Sequence, residues 1–187
     1  MVFHRGDCIE DLTEIAVGPV RMKGIRLIQL NRGIGVFTRP HDSYGGGQIG
    51  FTIIDSLAQL TPAVIVNAPL IAQRFPKGEW GGVNEARALK NGRILALGHR
   101  AYLDEDNNKH YYPWLFIHDP RTGISTDLGI VGASDDFPKT TPRQADLEDV
   151  SYPVGMDLEK GEIYGGTCDT TSSTKPILKL LNLADNV

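Results

Sequence analysis

Apolar residues occur along this chain in short runs that turn-forming residues separate. Runs rich in β-branched and aromatic residues, bounded by Gly, Asn, Asp or Pro, are typical of β-strands. No long stretch has apolar residues at helical spacing between proper caps, and one short turn is expected at Ser56–Leu60, ended by Pro62. The pattern predicts an all-β chain with strands over 25–30, 34–39, 49–54, 85–89, 94–103, 110–119, 162–169 and 175–181.

Three segments, 27–40, 86–101 and 154–170, share one layout of a strand, a tight glycine-containing turn and a second strand ending in polar residues. Aligning Ile34, Ile94 and Ile163 places the repeats about 60 to 70 residues apart. Hairpins that recur at such a period indicate propeller blades, and a β-sandwich with long loops is the alternative.

The repeats account for about three blades, whereas a closed propeller needs at least four. The segment that precedes the first repeat resembles the end of a unit. We therefore expect residues 1–187 to form a single domain, an incomplete propeller lacking amino-terminal blades. Open sheet edges associate readily, so a homo-oligomer or a complementing chain is expected.

Composition narrows the possible partners. The net charge of −4 argues against nucleic acid or an anionic membrane, because both require a basic surface. The chain contains no run of 18 apolar residues that would predict a membrane span. Its first residues also lack the apolar core of a signal peptide, so we expect a cytoplasmic protein. Cys8 and Cys168 are expected to be reduced thiols. The histidines lack zinc-site spacing, so no metal is expected.

Polar residues end the second strand of each repeat, as Thr38–Arg39, His99–Arg100 and Cys168–Asp169. Equivalent strand ends of a propeller converge on one mouth of its channel. Guanidinium groups bind phosphate, and carboxylates bind sugar hydroxyls, so the convergence predicts a site for an anion and a hydroxyl-bearing ligand. Solvated loop residues are the alternative.

Four further segments carry candidate residues. Asp42 lies in a glycine-rich loop as a catalytic candidate or a turn former. His110 and Tyr111 belong to an aromatic run, half of which is expected in the core. The acids Asp146, Glu148 and Asp149 are candidates for glycosyl transfer or a solvated loop. The run EWGGVNE, residues 79–85, is expected to be a glycine turn with Trp80 packed beside it.

Several segments together carry a family resemblance. They read MKGIRLIQL, IGVFTRPHDSYGGGQIGFTII, EWGGVNEARALKNGRILALGHRA, HYYPWLFIHDP, DDFPKTTPRQADLEDVSYPVGM and IYGGTCDT. In that order they resemble a family of five-bladed β-propellers comprising β-1,2-mannosyltransferases and phosphorylases of β-1,2-mannan. The family is similar to the β-mannoside phosphorylases among the glycoside hydrolases.

The resemblance implies inverting phosphorolysis of a β-mannoside, or mannosyl transfer involving mannose 1-phosphate, without metal or other cofactor. A mannoside, mannose 1-phosphate and inorganic phosphate would be the ligands. The family's acid aspartate precedes the part that this chain resembles, which leaves Asp169 and Asp42 as candidates and a catalytically incomplete sugar-binding module as the alternative. The substrate-binding residues expected from the resemblance and the strand ends are Arg39, Asn84, Glu85, His99, Arg100, His110, Tyr111, Asp149 and Asp169.

Overall fold

The computed structural model describes residues 1–40, 46–72 and 75–177. Over these residues the chain is built almost entirely from antiparallel β-strands, with one short α-helix, α1, at Pro62–Val66. The strands are β1 Val2–Arg5, β2 Thr13–Val17, β3 Arg26–Gln29, β4 Ile34–Thr38, β5 Gly50–Ile54, β6 Glu79–Ala88, β7 Ile94–Leu103, β8 Lys109–His118, β9 Ser125–Ile130, β10 Ser151–Asp157, β11 Glu162–Thr167 and β12 Thr171–Pro176.

Three of the sheets are meanders of consecutive strands, ordered β3-β4-β5, β6-β7-β8-β9 and β10-β11-β12, and β1 pairs with β2 in a separate ribbon. The first strand of the four-stranded sheet, β6, lies against the first strands of the two neighbouring sheets, β3 and β10. The all-β, partial-propeller prediction is confirmed. Ile34, Ile94 and Ile163 each lie in the second strand of their sheet, as the repeat predicted.

The predicted turn at EWGGVNE is wrong, because all seven residues belong to β6. Gly81 pairs with Arg100, and Gly82 pairs with His99, on β7. A Cβ atom at Gly81 would lie 2.4 Å from the backbone oxygen of His99, so the glycine permits the close approach of the two strands. The glycines therefore serve strand packing rather than a turn.

Other strand boundaries also differ from the prediction. The ribbon strands β1 and β2, and the edge strand β9, consist of exposed or half-buried residues and lack the apolar alternation that marks a strand. The strand predicted at 175–181 ends at Pro176, and residues 178–181 lie outside the described residues. Pro62 begins α1 rather than only ending the preceding turn, because proline suits the first helical turn and Thr61 caps it.

Alternate residues of β7 supply two hydrophobic cores. Ile94 and Ala96 pack with Trp114 and Phe116 toward the β3-β4-β5 sheet. Their neighbours Leu95 and Leu97 pack on the other face, toward the β10-β11-β12 sheet. A strand that is buried on both faces has a continuous apolar sequence, which accounts for the run from Ile94 to Leu97.

Gly98 ends this apolar run and keeps β7 close to β6. A Cβ atom at Gly98 would lie 2.3 Å from the backbone oxygen of Gly82. We expect Gly98→Ala to lower the free energy of unfolding by about 1–3 kcal/mol, because overpacking a tight site forces the backbone apart. Urea denaturation measures the change. Gly132→Ala is the matched control, since its Cβ would make only ordinary contacts of 3.5 Å and longer. Equal stability of the two variants would contradict the prediction.

Candidate functional site

A β-bulge in β6 positions the first polar pair of the site. The pairing register with β7 shifts between Val83 and Glu85, which leaves Asn84 as the extra residue. The side-chain oxygen of Asn84 lies 2.7 Å from Nδ1 of His99, and both side chains are buried. Arg26 on β3 donates its Nε hydrogen to the backbone oxygen of Asn84 at 2.5 Å. The bulge therefore links β3, β6 and β7.

Arg39, directly after β4, lies beside His99. Its side chain is 5% exposed, and its Nε has no hydrogen-bond partner among the described residues. A Cβ atom at Gly82 would lie 3.0 Å from Cδ of Arg39 and 3.2 Å from Cε1 of His99. The missing side chain at Gly82 thus lets both groups pack closely over the same stretch of backbone. Burial lowers the pKa of Arg39, and the neighbouring Tyr111 and Tyr152 partly oppose this.

His99 is held as a neutral ring. The imidazole stacks on Tyr111, with ring centroids 5.6 Å apart, and packs against Tyr152 at 4.8 Å. Burial, followed by the charges of Arg39, Lys23 and Arg26, lowers its pKa to about 3. Its Nε2 has no hydrogen-bond partner among the described residues, so one ring nitrogen is left for a ligand.

The same two tyrosines line a cleft of about 270 Å³. This volume is just below the range of roughly 300–1,000 Å³ typical of small-molecule pockets. Trp80 donates a hydrogen bond of 3.1 Å to the hydroxyl oxygen of Tyr111 and so fixes that ring. The cleft therefore combines aromatic rings, cations and a carboxylate, and its polar and aromatic lining residues are Lys109, Tyr111, Arg143, Gln144, Tyr152 and Asp169.

Asp169 reaches the cleft through an unusual backbone conformation. Cys168 and Asp169 both have positive φ angles, of 55° and 54°. Such angles are uncommon outside glycine, and the backbone N–H of Arg143 donates a 3.0 Å hydrogen bond to the Cys168 carbonyl that helps to hold the turn. The Asp169 carboxylate makes no hydrogen bond to another described residue and is exposed. It is thus available to a ligand.

The carboxylate of Glu85 makes its contacts away from Arg39 and His99. One carboxylate oxygen accepts a 2.7 Å hydrogen bond from the backbone N–H of Met156 on β10, and the other pairs with Arg87. These contacts join β6 to β10. Glu85 was expected to bind substrate, and in the structure its oxygens bind the protein itself.

Arg100 also lies apart from His99, because successive residues of a strand point to opposite faces. Its guanidinium group donates a 2.7 Å hydrogen bond to Glu79 and lies 5.9 Å above the Phe75 ring. The sequence predicted that His99 and Arg100 would face one pocket, whereas the contacts of the two side chains lie on opposite faces of β7.

His110 and Asp149 form a second polar cluster beside Tyr111. Nδ1 of His110 lies 2.7 Å from a carboxylate oxygen of Asp149, and Nε2 lies 3.3 Å from Asp104. Tyr112 donates a hydrogen bond to the same Asp149 carboxylate, as does Ser134 at 2.5 Å. These bonds join β8 to the loop before β10, so His110 and Asp149 contact each other rather than Arg39 or His99.

The remaining predicted residues divide between loops and ion pairs. Asp146 pairs with Lys109 at the cleft, and the backbone oxygen of Glu148 accepts a hydrogen bond from the Cys168 thiol at 3.2 Å. Cys8 and Cys168 are both free, as expected. Asp42 lies outside the described residues.

The sequence interpretation missed four residues of the site: Arg26, Lys109, Arg143 and Tyr152. Tyr152 stands two residues into β10, directly after the acidic loop that drew attention to Asp149. The surrounding residues SYP show no apolar–polar alternation. Only the pairing of β10 with β11 shows the direction of the Tyr152 side chain. Lys109 and Arg143 were inconspicuous because isolated basic residues are ordinary on a protein surface.

The described residues contain neither a metal-binding cluster nor a helix that could span a membrane. Within residues 1–40, 46–72 and 75–177, no group of three or more His, Cys, Asp and Glu side chains is arranged to hold a metal ion. No helix in those ranges is both long enough and apolar enough to cross a membrane.

Comparison with known proteins places the chain in a family. A family model described as "Protein of unknown function (DUF1861)" matches residues 1–178. The chain belongs to the DUF1861 family. No curated protein matches this DUF1861 chain.

Solved structures from Leishmania resemble the DUF1861 chain closely. The mannose phosphorylase MPT-4 of Leishmania mexicana, in complex with phosphate ion, is 31% identical with a TM-score of 0.87, and the match covers 98% of this chain and 59% of that one. The GDP-Man-dependent mannosyltransferase MPT-1 of the same organism is 33% identical with a TM-score of 0.81, covering 94% and 57%.

A hypothetical protein from Leishmania major is 31% identical with a TM-score of 0.81, covering 92% of this chain and 56% of that one. The DUF1861 chain thus spans less than two thirds of the length of these structures. The expected resemblance to mannosyltransferases and phosphorylases is confirmed as a likeness of sequence and fold.

The His110 cluster predicts a pH dependence of stability. Burial lowers the pKa of His110, but its bonds to Asp149 and Asp104 raise it by more, so the net shift is upward. The stabilisation is therefore complete below the unfolded-state pKa of about 6.5, and it is lost as pH rises through the folded-state pKa.

Urea denaturation of the wild type and of His110→Gln between pH 5.5 and 8.5 measures this effect. We expect the stability difference between them to be larger at the acidic end. A difference that is constant, or that grows with pH, would show that the protonated ring is not what stabilises the cluster.

Proposed function

We propose that this chain is a carbohydrate-active protein that takes part in inverting phosphorolysis of a β-mannoside or in mannosyl transfer involving mannose 1-phosphate. The observation that carries the proposal is the pair of buried side chains Arg39 and His99. Each has a nitrogen without a partner among the described residues, next to a cleft that carries tyrosines, cations and a carboxylate. Buried polar atoms normally have partners, so such a pair supports a ligand site.

The chemistry of the pair suits phosphate. A guanidinium group binds phosphate through charge-assisted hydrogen bonds, and the unpartnered ring nitrogen of His99 can make a further hydrogen bond beside it. The tyrosine rings of the cleft suit the apolar face of a sugar, while Asp169 suits its hydroxyl groups. Among the solved structures that this chain resembles, one is a mannose phosphorylase in complex with phosphate, which agrees with this assignment.

The proposed reaction exchanges two bonds at the anomeric carbon. A phosphate oxygen forms a bond to that carbon as the bond to the glycosidic oxygen breaks, and a general acid gives the departing oxygen its proton. In this scheme Arg39 and His99 orient the phosphate. The proposal includes no metal or cofactor and a cytoplasmic location, and the net charge of −4 agrees with partners other than nucleic acid or membrane.

The alternative is a sugar-binding module that lacks the acid and works with a complementing chain. A general acid needs a raised pKa. Each described carboxyl group whose pKa is shifted is shifted downward, because hydrogen bonds and cations together outweigh burial; these groups are Asp11, Asp104, Asp119, Asp136, Asp146, Asp149 and Asp157.

Exposed apolar side chains on the β1–β2 ribbon also favour this alternative. Val2 and its cross-strand partner Val17 are 46% and 47% exposed, and Ile15 is 36% exposed. Apolar residues grouped on an open two-stranded ribbon are suited to pairing with further strands.

Phosphate binding tests the site. Isothermal titration with inorganic phosphate should give a dissociation constant that Arg39→Gln weakens at least tenfold, since a buried charge-assisted bond is lost. Arg121→Gln is the matched control, because Arg121 is an exposed arginine paired with Asp119 and should bind phosphate as the wild type does. Equal binding by all three proteins would remove Arg39 from the site.

Turnover separates the two candidate functions. Incubation with mannose 1-phosphate and mannose should release phosphate if the chain carries out mannosyl transfer. The sugar-binding alternative instead predicts phosphate and mannose binding without release. It also predicts a mass above that of one chain by light scattering, or restored turnover when a complementing chain is added. A monomer with turnover would exclude the alternative.

A further inference from the structure

The loop of residues 134–149 contributes part of the cleft lining, and one carboxylate closes this loop at its base. The residues of the loop that line the cleft are Arg143, Gln144 and Leu147. At one end of the loop, the hydroxyl of Ser134 donates a 2.5 Å hydrogen bond to the carboxylate of Asp149 at the other end. A surface loop of roughly 6–16 residues whose ends meet in this way is an Ω-loop, a class that is often functional.

Asp149 also connects the loop directly to a residue of the cleft. Its backbone oxygen accepts a 3.1 Å hydrogen bond from the backbone N–H of Tyr111, which lines the cleft. Its carboxylate accepts further hydrogen bonds from the hydroxyl of Tyr112 and from Nδ1 of His110. Asp149 therefore holds both the loop and the strand β8 that carries Tyr111.

His110 stands between two carboxylates, with Nδ1 2.7 Å from Asp149 and Nε2 3.3 Å from Asp104. A protonated ring carries a hydrogen on both nitrogens and donates to both carboxylates, whereas a neutral ring carries one hydrogen only. One of the two carboxylates therefore faces a lone pair when the ring is neutral. Tyr102 stacks on the imidazole, and the Tyr112 hydroxyl lies 3.3 Å from Nδ1, so the two aspartates supply the charges that act on the ring.

We propose that Asp149 is a positioning residue of the cleft under the control of His110, so that the cleft binds a neutral sugar more tightly when His110 is protonated. The protonated ring holds Asp149, and through it the backbone of Tyr111 and the 134–149 loop, in the arrangement that forms the cleft. The neutral ring can give its single hydrogen to Asp104 instead, which loosens this attachment. The inference rests on the proposed function, in that a sugar occupies the cleft, and it adds a pH dependence that sugar binding alone does not require.

Titration calorimetry with mannose between pH 5.5 and 8.5 tests the proposal. Mannose has no group that ionises in this range, so a change in affinity comes from the protein. Burial lowers the pKa of His110, but its bonds to Asp149 and Asp104 raise it by more, and the affinity should fall at least about threefold as pH rises through that pKa. An affinity independent of pH would overturn the inference and leave the proposed function intact. If mannose binds at no pH, the sugar site of the proposed function fails and the inference with it.

Asp149→Asn assigns the effect to this carboxylate. The amide oxygen can still accept hydrogen bonds from Ser134 and Tyr112, and the buried side chain of Phe137 keeps the loop packed on the core, so the variant should fold, which near-ultraviolet circular dichroism checks. Because the amide has no charge to attract a protonated His110, the mannose affinity of this variant should change less than about twofold over the same pH range. A pH dependence like that of the wild type in folded Asp149→Asn would overturn the inference.

Asp157→Asn is the matched control, because Asp157 pairs with Lys160 near the β10–β11 turn and this variant should keep the pH dependence of the wild type. Hydrogen exchange follows the loop without a ligand. The backbone N–H of Arg143 donates a 3.0 Å hydrogen bond to the Cys168 carbonyl. Its protection factor should be lower at pH 8.5 than at pH 5.5 in the wild type and equal at the two pH values in Asp149→Asn. Equal protection in the wild type would show that His110 does not hold the loop.

Discussion

The hydrogen bond between Asn84 and His99 depends on an irregularity in β6. In a regular strand, Val83 and Glu85 would share one face and Asn84 would take the other. The bulge adds one residue between the pairs that Val83 and Glu85 make with Gly98 and Leu97. This local change directs Asn84 at the ring of His99 and exposes its backbone oxygen to Arg26. The orientation of His99, and with it the geometry of the site, follows from the bulge.

The hydrophobic cores give this polar pair a rigid support. On β7 the residues from Ile94 to Leu97 are completely buried and contribute alternately to two cores. Gly98 then interrupts the side chains, and His99 follows. Because Gly98 and Gly82 have no side chains, the strands approach closely, and Arg39 and His99 pack together over Gly82. The site is thus formed where apolar packing stops along a strand that the cores hold in place.

Much of the fold was predictable because the strands of the three main sheets carry strong apolar patterns, and their turns contain glycine. The proximity of Arg39 and His99 was predictable as well, since the two residues stand at equivalent positions toward the ends of the second strands of the repeated hairpins. The directions of Glu85 and Arg100 were not. Each lies one residue from a residue of the site, and on a strand one residue reverses the face. The bulge at Asn84 has no sequence signature that would have revealed the reversal.

The electrostatic balance around His99 gives a further reason for an anion. Arg39, Arg26 and Lys23 all act on the ring to oppose its protonation, and no carboxylate of the described residues forms an ion pair with any of the three. Nearby charges act strongly in a buried region because water screens them poorly. A buried arginine without a counter-charge is costly to the folded state. A bound anion would supply that charge, which agrees with the proposed binding of phosphate.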